Sequence, residues 1–240
     1  MTATVPYSVD RAIRGAMPFS AIVDINGVMN PKTGGFHVVQ DAIDAGHKSI
    51  FIRAGTYPSF DADVAQLFIM GESWDVIIDG ESADDAIDVT AARVRITNLT
   101  VQTTGGGGGS INTITATSAG TDLVVDHVRI ADSDGNGIVC SGVDSEFSFC
   151  LFVKSDDMSI YIVAARNRVH NNHIESSSGQ SIRVTGDGDN FIITNNLIES
   201  TGTCILIDSG GDNGLVVGNV TNGVVTDSGA GNTVASNEQY

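Results

Sequence analysis

The sequence predicts an all-β solenoid, a parallel β-helix with a short helix capping its N-terminal end. Three observations lead there. The chain repeats itself: RNRVHNNHIESSSGQSIRVTGD is followed at once by GDNFIITNNLIESTGTCILIDSG, and a unit of this length cannot bury its apolar face alone, so it must stack on its neighbours. Short apolar runs alternate with period two and are bounded by Gly, Asn, Asp and Ser, which marks strands and turns rather than helices. Composition agrees, with 28 glycines and 4 prolines in 240 residues and plentiful Asp, Asn, Ser and Thr between the apolar runs, as many short strands and many turns require.

Aligning the apolar runs gives one recurring position, Asn98, His127, Cys150, Asn171, Asn195 and Asn219, with steps of 29, 23, 21, 24 and 24 residues. Two residues earlier stand Ile96, Val125, Ser148, Val169, Ile193 and Val217, and three residues later Val101, Ile130, Val153, Ile174 and Ile198. A second strand follows in each unit, with Ile138/Cys140, Ile160/Ile162, Ile182/Val184 and Ile205/Ile207 on one face. Strand–turn–strand–turn units of this size pair with the same strand one coil on, about 4.8 Å away. The leucine-rich repeat, of similar length, lacks its L-x-x-L-x-L-x-x-N pattern here. An inward Asn at a strand end bonds turn backbone and its copies in adjacent coils, so the Asn column reads as a structural ladder in which His127 and Cys150 are packed substitutes.

Upstream, HVVQDAIDAG reads as a short amphipathic helix at about 37–45, with Val39, Ala42 and Ile43 on one face and Gly46 as its stop. A solenoid needs such a cap to cover its first coil. Residues 1–35 are read as an N-terminal arm and first strand, and 36–240 as the β-helix. The segment F-x-V-V-Q-D-A-I-D-A-G followed by S-I-F-I-R-A-G-T-Y resembles the opening of the pectate-lyase-like right-handed β-helix superfamily. That resemblance makes the expected fold a single-stranded, right-handed parallel β-helix. The superfamily includes pectin-processing enzymes, alginate epimerases and many phage tail and spike proteins, so it implies a fold more than an activity.

Net charge is −17, which disfavours nucleic acid and anionic membranes as partners. No stretch approaches the ~20 apolar residues of a membrane span, and MTATVPYSVDRAIRG lacks the apolar core of a secretory leader. Cys140, Cys150 and Cys204 suggest neither a disulfide framework nor a zinc spacing.

Catalytic signatures of the superfamily are missing. GTYPSF lacks the Glu that follows G-T-Y in pectin methylesterases, and VVDHVRI is the nearest string to the epimerases' D-P-H-D. Beside the Asn column the outward positions are read as Thr97, Asp126, Phe149, His170, Thr194 and Gly218. Asp126 and His170 lie two coils apart, roughly 10 Å by strand spacing, and with Arg168 they form the candidate catalytic set. The competing reading is scattered polar residues on a solvated sheet. In DSDGNG, Asp132, Asp134 and Asn136 match the early ligand positions of an EF-hand loop, but Val143 stands where its bidentate Glu belongs. Calcium at a looser Asp-rich turn is the only cofactor considered, against an ordinary coil turn. TTGGGGGS is a long loop without the G-K-[ST] ending of a phosphate loop.

Both parities are apolar in LVVDH, FSFC, FII and LVV, so Val124, Phe147, Phe149, Ile192 and Val216 are read as an outward apolar stripe. Such a stripe marks a contact surface, covered by two more copies in a trimer or by a segment of the same chain. The preferred expectation is therefore a non-enzymatic structural or adhesive protein, a virion decoration, tail or spike component made in the cytoplasm and found on a particle or outside the cell. Partners would be copies of itself, other virion proteins or a surface glycan. The alternative is a polysaccharide-active lyase, hydrolase or epimerase acting on an acidic glycan. A carbohydrate-binding module without turnover is the third reading.

Overall fold

Each complete coil carries three short strands, and each strand pairs in parallel with its counterpart one coil on, giving sheets of 11, 9 and 8 strands. A computed structural model describes residues 19–27, 34–81, 85–104, 111–175, 177–200 and 202–240. One middle coil shows the plan: Val124–Asp126 lies in the first sheet, Arg129–Ile130 in the second and Ile138–Cys140 in the third. Register is kept from coil to coil, so Val125 sits over Ile96 and under Phe147. Like side chains therefore stack through the middle. Ile96, Val125, Phe147, Val169, Ile193 and Val216 form one inward column, each with no accessible surface.

The sequence implied two strands per unit; there are three, because a sharp corner divides what reads as one run. At each corner one residue adopts the left-handed backbone: Asn98, His127, Phe149, Asn171, Asn195 and Gly218 have φ between 55° and 72°. Asn and Gly tolerate this region best. The corner breaks strict alternation, so the residue after it points inward again. Leu99, Val128, Cys150, Asn172, Asn196 and Asn219 are these inward residues, all buried.

This corrects the ladder. Asn98, His127, Asn171 and Asn195 occupy the corner on the outside, and only Cys150 and Asn219 of the expected column face inward. The ladder is Asn172, Asn196 and Asn219, all buried, and ends on the half-buried Asn237. Asn172 Nδ2 donates to Asn196 Oδ1 at 3.0 Å, Asn196 to Asn219 at 2.9 Å and Asn219 to Asn237 at 2.9 Å. The backbone N–H of Cys150 donates to Asn172 Oδ1 at 2.9 Å. In N-N pairs the first amide turns the chain and the second joins the ladder.

The helix α1 (Val39–Asp44) buries Val39, Ala42 and Ile43 against the first coils, and Gly46 follows it with φ +83°. Ala21–Val23 already lies in the first sheet, between Gly35–Phe36 and Ser49–Ile52. The boundary expected at residue 35 therefore cuts through a sheet. Most of the N-terminal arm and the Gly105–Gly109 loop lie outside the described residues.

Candidate functional site

The outward face of the first sheet carries two columns, because side chains either side of each inward residue point away from the coil interior. One column reads Arg95, Val124, Glu146, Arg168, Ile192 and Leu215, and the other Thr97, Asp126, Ser148, His170, Thr194 and Val217. Of the expected stripe, Val124 and Ile192 are outward and Phe149 is a corner residue. Phe147 and Val216 face the interior and are fully buried. The misassignment came from aligning Cys150 and Asn219 with the corner residues of the other coils. In these two coils the corner stands one residue earlier, at Phe149 and Gly218, so the parity of the strand before it is the reverse of that expected. The outward column that remains is interrupted by Arg95, Glu146 and Arg168.

These charges are organised around Asp126, which is 7 % exposed. Its Oδ1 accepts from Arg95 Nε at 3.0 Å. Its Oδ2 accepts from Arg95 Nη2 at 3.2 Å, Thr97 Oγ1 at 3.1 Å and His127 Nδ1 at 3.0 Å. Burial alone would raise the Asp126 carboxyl, but the hydrogen bonds from Arg95, His127 and Thr97 outweigh it and hold it below the usual carboxylate range. The group is a fixed anion.

His127, read from sequence as a core substitute, stands outside with its side chain 59 % exposed. Its ring stacks on Phe149 with centroids 5.1 Å apart and planes at 17°. Its carbonyl accepts from Trp74 Nε1 at 2.9 Å. Phe149 in turn meets His170 edge-on at 6.1 Å. His170 Nε2 lies 3.3 Å from Glu146 Oε1, and its Nδ1 lies 2.9 Å from the Asn171 amide nitrogen. Arg168 is exposed, and among the described residues its guanidinium joins no ion pair. Asp126, Arg168 and His170 thus share one face, as expected. Arg95, His127, Glu146 and Trp74 join them there. The clue for His127 was its place in a column with Asn98, Asn171 and Asn195, corner residues that stand outside the coil.

A family description, right handed beta helix region, matches residues 79–238. The chain belongs to the right-handed β-helix family. Solved right-handed β-helices agree in fold. A pectin methylesterase variant in complex with a hexasaccharide is similar at a TM-score of 0.56 and 15 % identity over 82 % of this chain and 70 % of that one. The pectin methylesterase of Aspergillus niger gives 0.50 and 15 % over 92 % and 91 %. The A-module of the mannuronan C-5 epimerase AlgE6 of Azotobacter vinelandii gives 0.51 and 13 % over 92 % and 75 %. No curated sequence matches the chain.

Elsewhere on this β-helix the candidate residues have structural partners. Asp132 Oδ1 is 2.7 Å from Lys154 Nζ, an ammonium where a calcium ligand set was considered. Asn136 donates to Asn112 at 2.9 Å and accepts from the Met158 N–H at 3.2 Å, tying one coil turn to the next. Asp134 shares that turn, its N–H donating to Thr103. Among the described residues no group of His, Cys, Asp and Glu is arranged to hold a metal ion. The cysteines are buried and unpaired. Burial pushes the Cys150 thiol up to about 12, so it is no nucleophile.

A phenylalanine in the left-handed region is costly, and Asn fills the same corner in three coils. Phe149→Asn is therefore expected to raise stability by about 1 kcal/mol while weakening whatever the exposed corner binds. Urea unfolding beside a binding titration checks both.

Proposed function

We propose that the outward face of the first sheet is a site for a uronate-containing polysaccharide and that the protein acts chemically on it. One observation carries the reading: Asp126, His127, Glu146, Arg168 and His170 converge on one exposed face of three adjacent coils, with Trp74 and Phe149 presenting exposed aromatic surface beside them. A face kept for packing against a second copy would be apolar and continuous, and this one is broken by Arg95, Asp126, Glu146 and Arg168. Arg168 offers a cation to a sugar carboxylate, His127 supplies a proton-transfer group with the Asp126 carboxylate beside it, and the aromatic edges give the sugar rings apolar contact. The similar structures include pectin methylesterases, one of them bound to a hexasaccharide, and a mannuronan epimerase, so the fold is one that serves polysaccharide enzymes.

The net charge of −17 opposes a polyanion at long range. At physiological ionic strength the Debye length is about 8 Å, so charges beyond the first neighbours are screened and the local cations decide.

The test is incubation with polygalacturonate, methyl-esterified pectin and alginate, followed by assays for unsaturated uronate, released methanol and altered uronate configuration. The expected result is turnover of one of them, lowered about 10²-fold or more in Asp126→Asn with circular dichroism unchanged. A wild-type chain that alters none of the three contradicts the reading.

A further inference from the structure

The two histidines of this face differ in one decisive respect. His170 has both ring nitrogens committed: Nδ1 accepts from the Asn171 amide at 2.9 Å and Nε2 faces Glu146 at 3.3 Å. His127 has one committed. Its Nδ1 lies 3.0 Å from Asp126 Oδ2, and an ionised carboxylate only accepts, so Nδ1 carries the proton. In the neutral ring that leaves Nε2 as a lone-pair acceptor. No described residue donates to it, and the side chain is 59 % exposed.

The partner cannot swing away. Asp126 is gripped by Nε and Nη2 of the Arg95 guanidinium and by Thr97. The His127 ring lies against Phe149, and Trp74 holds the His127 carbonyl. A fixed carboxylate orienting an exposed imidazole is the arrangement by which a side chain is prepared to take a proton. The corner itself gives no structural reason for a histidine, since Asn98, Asn171 and Asn195 serve the same backbone conformation in other coils.

We propose that His127 is the proton acceptor of this site, with Nε2 as the reacting atom and Asp126 as its positioning residue. The proposal rests on the reading of this face as a polysaccharide site. In the step it serves, a bond to hydrogen in the bound glycan, or in a water beside it, breaks. The electron pair stays on the carbon or oxygen, and the proton bonds to Nε2. The imidazolium formed then faces the Asp126 carboxylate, which is already in place to stabilise it. No further reactant is consumed.

His127→Asn is the discriminating variant, because it places the corner's commonest residue at this position. It is expected to fold at least as stably as the wild type and to lose about 10²-fold or more of kcat/KM, chiefly in kcat. Retention of more than a tenth of the activity overturns the proposal. Two readouts on the protein alone separate its failure from that of the polysaccharide reading. Nitrogen-15 spectra are expected to show His127 as the Nδ1–H tautomer, and as a mixture in Asp126→Asn. Carbethoxylation mapped by mass spectrometry is expected to modify His127 faster than His170, and more slowly once Asp126 is replaced. A mixed tautomer in the wild type, or slower modification of His127 than of His170, overturns the proposal even if a glycan is turned over. The predicted tautomer and reactivity without turnover of any glycan sink the polysaccharide reading and support His127 as a base.

Discussion

Replacing Asn196 by alanine lowers the unfolding free energy by about 3 kcal/mol or more, whereas Asn195→Ala, one residue earlier, costs about 1 kcal/mol. The two differ because the corner lies between them. Asn196 Oδ1 accepts from both the backbone and the side-chain N–H of Asn172, each at 3.0 Å. Its Nδ2 donates to the Val169 carbonyl at 3.0 Å and to Asn219 Oδ1 at 2.9 Å. Truncation leaves several buried polar groups without partners in the coil interior, and each such group costs about 1–3 kcal/mol. Asn195 is exposed and contributes only its tolerance of φ +57°. Urea unfolding of the two variants measures the difference. Equal costs would mean that the ladder is not where the hydrogen bonds place it.

Arg168→Gln is expected to weaken binding of a uronate oligosaccharide by about ten- to a hundredfold, the loss of a charge-assisted hydrogen bond worth about 1.5–3 kcal/mol. Stability should change by less than about 0.5 kcal/mol, because Arg168 is exposed and joins no ion pair among the described residues. Arg95 is the instructive contrast. Its guanidinium is already engaged by Asp126, so its replacement disturbs the site from within and loses binding and local order together. Calorimetric titration of both variants distinguishes a cation offered to the ligand from one committed to the protein. An unchanged affinity in Arg168→Gln removes Arg168 from the site.

Much of the fold was legible because stacking imposes a repeat on the sequence. Aliphatic pairs such as Ile138/Cys140 and Ile182/Val184 had to recur, and they do lie in register in the third sheet. The left-handed corner was hidden. Its φ reversal costs one residue of alternation, so the first Asn of Asn171–Asn172 looked like the ladder residue when the second is. The same slip turned Phe147 and Val216 outward, and the expected apolar stripe counted them together with Val124, Phe149 and Ile192. Asp126, His170 and Arg168 could be placed on one face because strand parity before the corner is regular in their two coils. His127 was misplaced because it occupies the corner, where a core substitute and an exposed histidine look alike in a one-dimensional alignment. What distinguishes them is the Asp126 carboxylate at Nδ1, a contact between adjacent residues that exists only because the backbone turns between them.

The most direct test of the central claim is a co-crystal structure of the wild-type chain with a short oligouronate. The account predicts that the sugar lies across the middle coils of the first sheet, with a carboxylate on Arg168 and a ring within hydrogen-bonding reach of His127 Nε2. An oligosaccharide seated on the second or third sheet, with the Asp126–His127 face left to solvent, would contradict it.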